Sequence, residues 1–202
     1  MNRRSFLKGL LFVSSIFTLK LKASRKNNVS FNYGVASGDP TNTNIILWTK
    51  VSPIFKKDVS IKWQLSADKN FKNILNSGHV SAKYTNDFTV KVDVNVPNAF
   101  RGNKVFYRFL FNDTFSDTGI TNTLPQNDPD KYNIAFCSCS NHPAGYFNAY
   151  REMAKNEDID LVLHLGDYIY EYDKDGYATE DSKRFNRVVD PKHEIVSLKD
   201  YR

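Results

Sequence analysis

Apolar and polar positions alternate along much of residues 31–124. Residues 87–96 show the pattern most clearly, because Thr, Lys, Asp and Asn separate the apolar side chains. A period of two residues is typical of a half-buried strand. Runs rich in aromatic and β-branched residues also occupy residues 44–51, 59–66 and 104–112. Short strands at this spacing predict an all-β sandwich of the fibronectin or immunoglobulin type.

Turn-forming residues separate these runs, and each group is predicted to be a turn between strands. The groups are Gly38-Asp39-Pro40, Pro53, Asn76-Ser77-Gly78, Pro97-Asn98 and Arg101-Gly102-Asn103. The sequence of residues 31–124 contains no cluster of His, Cys or carboxylates, so the predicted role of the sandwich is structural.

The period changes after a proline-flanked joint at residues 124–129. Residues 132–138 and 159–165 are short apolar runs, and residues 146–156 between them have a helical period. This order predicts a β-α-β unit with parallel strands and a right-handed crossover. The predicted fold class is therefore α+β and multidomain, with the sandwich followed by the first β-α-β part of an α/β domain at residues 130–202.

Positive charge is concentrated at the N-terminus. The net charge is +6, but residues 1–26 hold seven basic residues and no acidic one, which leaves 21 basic against 22 acidic residues in the remainder. A basic face is therefore not expected on the folded part of the chain. Nucleic acid is excluded as a partner other than a substrate.

Residues 1–26 have the layout of an export signal, and no permanent transmembrane segment is predicted. A basic start precedes an apolar stretch too short to span a bilayer. Arg3 and Arg4 lie in a stretch similar to the twin-arginine signature, which implies the twin-arginine translocation machinery as a partner and a periplasmic or secreted location. Residues 21–23 make a poor cleavage site. The alternatives are an uncleaved anchor and a basic amphipathic tail.

The chain has two cysteines, Cys137 and Cys139. In extended backbone such a pair lies near or beyond the Cα separation limit of about 7 Å for a disulfide. A disulfide-stapled fold is therefore excluded, and at least one thiol needs another role.

Two candidate ligands follow the two strands of the β-α-β unit. Cys139 lies just past the first strand and Asp167 just past the second. Ligands bind outside the carboxyl ends of such strands, and neighbouring strands lie about 4.8 Å apart. Gly166 lets the backbone turn tightly before Asp167. The pattern predicts a metal-dependent hydrolase, with a solvated turn as the alternative.

Several motifs are similar to those of the PhoD-like alkaline phosphatases. They are VASGDP at residues 35–40, ILWTK at 46–50, FCSC at 136–139, HLGDYIYE at 164–171 and SLKDYR at 197–202. That family joins an N-terminal β-sandwich to a calcineurin-like metallophosphoesterase domain. The resemblance therefore implies the same fold as the periodicity does, and it implies an enzyme.

The resemblance also implies a centre that holds Fe³⁺ and Ca²⁺. The family's metal-binding cysteine matches Cys139, its bridging and catalytic aspartate matches Asp167, and its iron-binding phenolate matches Tyr201. Thiolate and phenolate are anionic donors that suit Fe³⁺, and a carboxylate shared between two cations fixes their separation.

The residues around these three are expected to have structural roles. Cys137 is expected to be a small buried apolar group, and His164 a hydrogen-bonded histidine of the core. Tyr170 is expected to pack beside the site, Glu171 to be a structural carboxylate, and Asp160 a cap or turn residue.

The implied activity is hydrolysis of phosphate esters, diesters as well as monoesters, for extracytoplasmic phosphate scavenging. One alternative is a phospholipase D-type phosphodiesterase, and another, of a different class, is a non-catalytic exported β-sandwich binding module. The family's later ligands have no counterpart before Arg202. We therefore expect this chain to be truncated and inactive by itself.

Export should depend on the arginine pair. Changing Arg3→Lys together with Arg4→Lys keeps the charge but removes both guanidinium groups. We expect most of the double variant to remain in the cytoplasm, measured by cell fractionation. Lys22→Arg is the matched control and should be exported normally. A normal export rate for the double variant would exclude the twin-arginine route.

Overall fold

The computed structural model describes residues 29–202, so the predicted export signal at residues 1–26 lies outside the described residues. The chain divides into two compact units between Asn127 and Asp128. Among residues 29–202, no helix has the length and apolar character needed to cross a membrane.

The first unit is built from antiparallel strands. Its described strands are β1 Val29–Ser30, β2 Val35–Gly38, β3 Asn44–Lys50, β4 Ser52–Pro53, β5 Val59–Ser66, β6 Ile74–Ala82, β7 Thr89–Asn95, β8 Val105–Phe111, β9 Thr114–Phe115 and β10 Gly119–Thr121. One sheet has the order β10-β8-β5-β6, with β9 beside β8, and a second has the order β2-β3-β7. Strands β1 and β4 form a separate pair.

Both larger sheets contribute to one apolar core. The second sheet contributes Leu47 and Val94, and the first contributes Ile61, Leu65 and Phe109, all at most 1% exposed. Burial of a side chain of this size stabilises the fold by about 1.5–3 kcal/mol. The two sheets therefore form the predicted β-sandwich, which confirms the all-β class of this part of the chain.

Two of the predicted turns are wrong. Asn76, Ser77 and Gly78 lie inside β6 and pair with β5. Gly78 is opposite Trp63, and a Cβ added to this glycine would lie 2.9 Å from Cζ2 of the indole ring. The glycine therefore lets an aromatic ring lie against the strand, rather than letting the chain turn. Pro53 likewise belongs to a strand, β4.

The second unit contains the predicted β-α-β arrangement. Its regular elements are β11 Ile134–Cys137, α1 Asn148–Lys155, β12 Leu161–His164 and α2 Leu198–Tyr201. Strands β11 and β12 are parallel, with Cys137 opposite His164. At the other end, Asp160 Oδ2 accepts a hydrogen bond from the Asn133 amide N at 2.8 Å. The α+β fold class is thus confirmed.

Gly119 allows β10 to approach β8, and this close approach can be tested. A Cβ added to Gly119 would lie 2.1 Å from Cζ of Tyr107, whose side chain is buried at 2% exposure. We expect Gly119→Ala to lower the free energy of unfolding by about 1–3 kcal/mol, because overpacking forces side chains or backbone to shift. Urea denaturation measures this loss.

Gly38→Ala is the matched control for Gly119→Ala. No atom lies within 4 Å of a Cβ added at Gly38, so its free energy of unfolding should change by less than about 0.5 kcal/mol. Equal losses in the two variants would contradict the steric argument.

Candidate metal centre

The two loops that follow β11 and β12 lie side by side. Cys139 is the second residue after β11, and Asp167 is the third after β12. The Cys139 amide N donates to the Gly166 carbonyl O at 3.1 Å, and the Ser140 amide N donates to the Asp167 carbonyl O at 2.7 Å. Cys139 Sγ lies 3.8 Å from Asp167 Oδ2. The structure therefore brings these two sequence-predicted residues together.

Both loops turn through unusual backbone conformations. Cys139 has φ 62° and Asp167 has φ 52°, in the left-handed region, and Gly166 has φ 123°. For residues other than glycine such conformations cost about 1–3 kcal/mol each and cluster at functional sites. Cys139 and Asp167 are two of nine non-glycine residues with positive φ among residues 29–202, and Gly166 makes the turn predicted for it.

Tyr170 contacts both candidate donors, although the sequence placed it among packing residues. Its hydroxyl donates to Asp167 Oδ2 at 3.3 Å. A hydrogen bond with Cys139 is the main cause that raises the pKa of the Tyr170 phenol, and the charge of Asp167 raises it further. The signal in the sequence is the spacing, because Tyr170 follows Asp167 by three residues in the same loop.

Tyr201 has a different partner. Its hydroxyl donates to Glu171 Oε1 at 2.8 Å, and this hydrogen bond raises the pKa of the Tyr201 phenol. Tyr201 ends the short helix α2, which begins with a capping box between Ser197 and Asp200. The hydroxyl of Tyr201 is therefore hydrogen-bonded to Glu171 and not to Cys139 or Asp167. The role of Tyr201 as a metal ligand stays a prediction.

The predicted core position of His164 is wrong. The residue is exposed, and so are Val162, Leu163 and Leu165 beside it, so the apolar run that favoured a core position is itself exposed. Its hydrogen bonds are nevertheless satisfied. Nε2 lies 3.0 Å from both Ser140 Oγ and Tyr150 OH, and Nδ1 accepts from the Gly166 amide N at 3.4 Å.

Cys137 is half-buried rather than fully buried. Its thiol donates to the Leu163 carbonyl O, at an Sγ–O distance of 3.8 Å. Cys137 thus bonds across the strand pair, whereas Cys139, which is exposed, faces Asp167. The two cysteines have separate environments, as the sequence predicted.

The donor set fits a ferric ion better than a calcium ion. Within residues 29–202 no group of three or more His, Cys, Asp and Glu is arranged to hold a metal, but the phenol of Tyr170 adds a third donor to Cys139 and Asp167. Deprotonated, the three groups would carry three negative charges, and anionic thiolate, phenolate and carboxylate donors can offset the charge of Fe³⁺. Ca²⁺ takes about six to eight oxygen ligands, and of these residues Asp167 supplies the carboxylate.

Comparison with known proteins agrees with this fold. The sequence model of one protein family, the N-terminal domain of PhoD-like phosphatases, matches residues 18–125. The sequence model of the PhoD-like phosphatase domain itself matches residues 134–202. Alkaline phosphatase D of Bacillus subtilis (strain 168) is 37% identical over 206 residues, which cover 96% of this chain and 34% of that protein. A solved structure of PhoD has a TM-score of 0.73 at 34% identity, over 85% of this chain and 34% of that one.

A β-sandwich followed by a β-α-β unit, with polar donors after both parallel strands, defines a two-unit α+β protein with a candidate ligand site at the sheet edge. The chain belongs to the PhoD-like phosphatase family. The resemblance seen in the sequence motifs is thereby confirmed. The chain spans about a third of the length of each of the relatives named above.

Proposed function

We propose that the complete protein is a metal-dependent enzyme that hydrolyses phosphate esters at the site of Cys139 and Asp167. The observation that carries this proposal is the 3.8 Å contact between Cys139 Sγ and Asp167 Oδ2 at the carboxyl edge of two parallel strands. Membership of the phosphatase family supports the reaction class. The substrates would be monoesters and diesters of phosphate.

Cys139, Asp167 and Tyr170 would hold Fe³⁺, and Asp167 would be shared with Ca²⁺. Bound cations polarise phosphoryl oxygens and offset the charge that develops on the departing oxygen. The Tyr170 hydroxyl donates to Asp167, so it also orients that carboxylate. Tyr201 is the second candidate for the phenolate, because the motif match favours it, whereas the contact with Asp167 favours Tyr170.

Charge explains why the cations are needed at this site. Asp167 is exposed, and its carboxylate by itself repels a phosphate ester, which is also negative. Deprotonated Cys139 and Tyr170 would add to that repulsion. Neutralisation by bound cations would turn the same loops into a surface that accepts the phosphoryl group, while the paired strands keep Cys139 and Asp167 in place.

The organisation of the chain is part of the proposal. We assign residues 31–124 to a structural sandwich domain and residues 130–202 to the catalytic domain. The basic N-terminal segment would direct export by the twin-arginine route to the periplasm or the medium. An alkaline phosphatase in that location would release phosphate from external esters for uptake.

Asp167→Asn should remove most activity from the full-length enzyme. Asn keeps the shape of the side chain but loses the charge that would draw two cations together, so we expect kcat/KM to fall by about 100-fold or more. The assays use an aryl phosphate monoester, a diester and a phospholipid, which also separates a phosphatase from a phospholipase D-type enzyme. Retention of activity on every ester would exclude this site.

Asp160→Asn is the matched control for Asp167→Asn. Asp160 Oδ2 accepts a hydrogen bond from the Asn133 amide, and the amide oxygen of an asparagine can do the same. We expect this variant to keep its activity within a few-fold. Equal losses in the two variants would mean that Asp167 is only a turn residue.

Visible absorbance can show which residues bind iron. Thiolate and phenolate bound to Fe³⁺ give visible charge-transfer absorbance, so Cys139→Ser and Tyr170→Phe should lose much of the absorbance and bind less iron. Cys137→Ala is the matched control and should retain both, and Tyr201→Phe tests the second candidate for the phenolate. Metal analysis and visible spectra measure these changes. Bleaching by Tyr201→Phe in place of Tyr170→Phe would favour the motif-based ligand.

A further inference from the structure

The imidazole of His164 bridges the two loops that carry the candidate donors. On one side, Nδ1 accepts a hydrogen bond from the Gly166 amide N at 3.4 Å, directly before Asp167. On the other side, Nε2 lies 3.0 Å from Ser140 Oγ, directly after Cys139. Each nitrogen of the His164 ring therefore contacts a different loop: Nδ1 contacts the loop after β12, and Nε2 contacts the loop after β11.

Helix α1 adds a third attachment to the same ring. Tyr150 OH lies 3.0 Å from His164 Nε2 and is also in close hydrogen-bond contact with Ser140 Oγ. The two rings lie against each other with centroids 6.1 Å apart. Ser140, Tyr150 and His164 are called the His164 cluster below. The cluster connects the loop after β11, the helix and the end of β12.

The hydrogen atoms of this cluster can be assigned consistently. Because Nδ1 accepts from Gly166, a neutral ring carries its proton on Nε2 and donates to the oxygens of Ser140 and Tyr150. One hydroxyl then donates to the other. Both ring nitrogens are used in this way, so His164 has no lone pair left for a metal and acts through its neighbours.

We infer that His164 is a positioning residue that fixes the separation of the Cys139 thiol and the Asp167 carboxylate. The unusual backbone conformations of Cys139 and Asp167 persist only where the surroundings over-determine them, and the imidazole supplies a constraint on each loop. The effect on metal binding rests on the proposed function. The effect on the loops rests on the hydrogen bonds alone.

Amide hydrogen exchange tests the effect on the loops. The full-length protein is stripped of metal with a chelator and compared with His164→Leu, which removes both ring nitrogens. The amides of Cys139 and Ser140, which bond to the opposite loop, should exchange about 10-fold faster in the variant, because local opening becomes easier. The amides within β11 and β12 should be unchanged.

Two further variants make this test specific. His164→Gln places an amide where Nε2 lies and can keep the contacts with Ser140 and Tyr150. The Gly166 amide still loses its acceptor, so exchange at Cys139 and Ser140 should be slower than in His164→Leu but faster than in the unaltered protein. His79→Leu removes an exposed histidine from β6 in the sandwich and should leave both amides as they were. Unchanged exchange in His164→Leu, equal acceleration throughout β11 and β12, or no rescue by Gln would overturn the inference.

Chelator competition tests the effect on metal binding. We expect His164→Leu to bind iron about 10–100-fold more weakly, as is usual when a residue that orients ligands is lost, while its unfolding midpoint matches that of His79→Leu. Unaltered iron affinity in His164→Leu would overturn the inference. If the unaltered protein binds no iron, the proposed metal site fails, and amide exchange alone decides the role of His164.

Discussion

The parallel pairing of β11 with β12 is the constraint on which the candidate site depends. The register sets Cys137 opposite His164, and hydrogen bonds from Leu165, Cys139 and Ser140 extend the pairing past both strands. A slip of one residue would move every side chain of a strand to the other face. Strand register therefore brings the loop of Cys139 beside the loop of Asp167, and the ring of His164 then holds the two loops at a fixed separation.

Local sequence predicts a strand correctly where the strand has a regular pattern of residues. The prediction fails where the residues of a strand are explained only by contacts with the paired strand. The bounds of β5 match the predicted residues 59–66, because aromatic and β-branched residues fill that run. Strand β6 was missed because Asn76-Ser77-Gly78 has the composition of a turn. The ring of Trp63 on the paired strand makes glycine suitable there, and a single stretch of sequence carries no information about that ring.

The same distinction holds at the site. Cys139 and Asp167 could be found because a general rule places ligands after the ends of parallel strands. Tyr170 depends on the path of the loop after β12, and a motif match alone favoured Tyr201. His164 lies among apolar residues in the sequence, which favoured a core position. That apolar run is itself exposed, and two loops and a helix satisfy the hydrogen bonds of the ring.

Two of the candidate metal-binding groups, Cys139 and Tyr170, point to one oxygen of the third, Asp167. Asp167 Oδ2 accepts from both the Cys139 thiol and the Tyr170 hydroxyl, so two hydrogens point towards a single carboxylate oxygen. A cation held there would take the place of these hydrogens, since thiol and phenol bind metals in their deprotonated forms. Hydrogen bonds therefore hold the candidate metal ligands together, and the imidazole of His164 contacts the loops that carry these ligands rather than the ion. Anionic groups would face the ion, while the imidazole of His164 holds the two loops behind them.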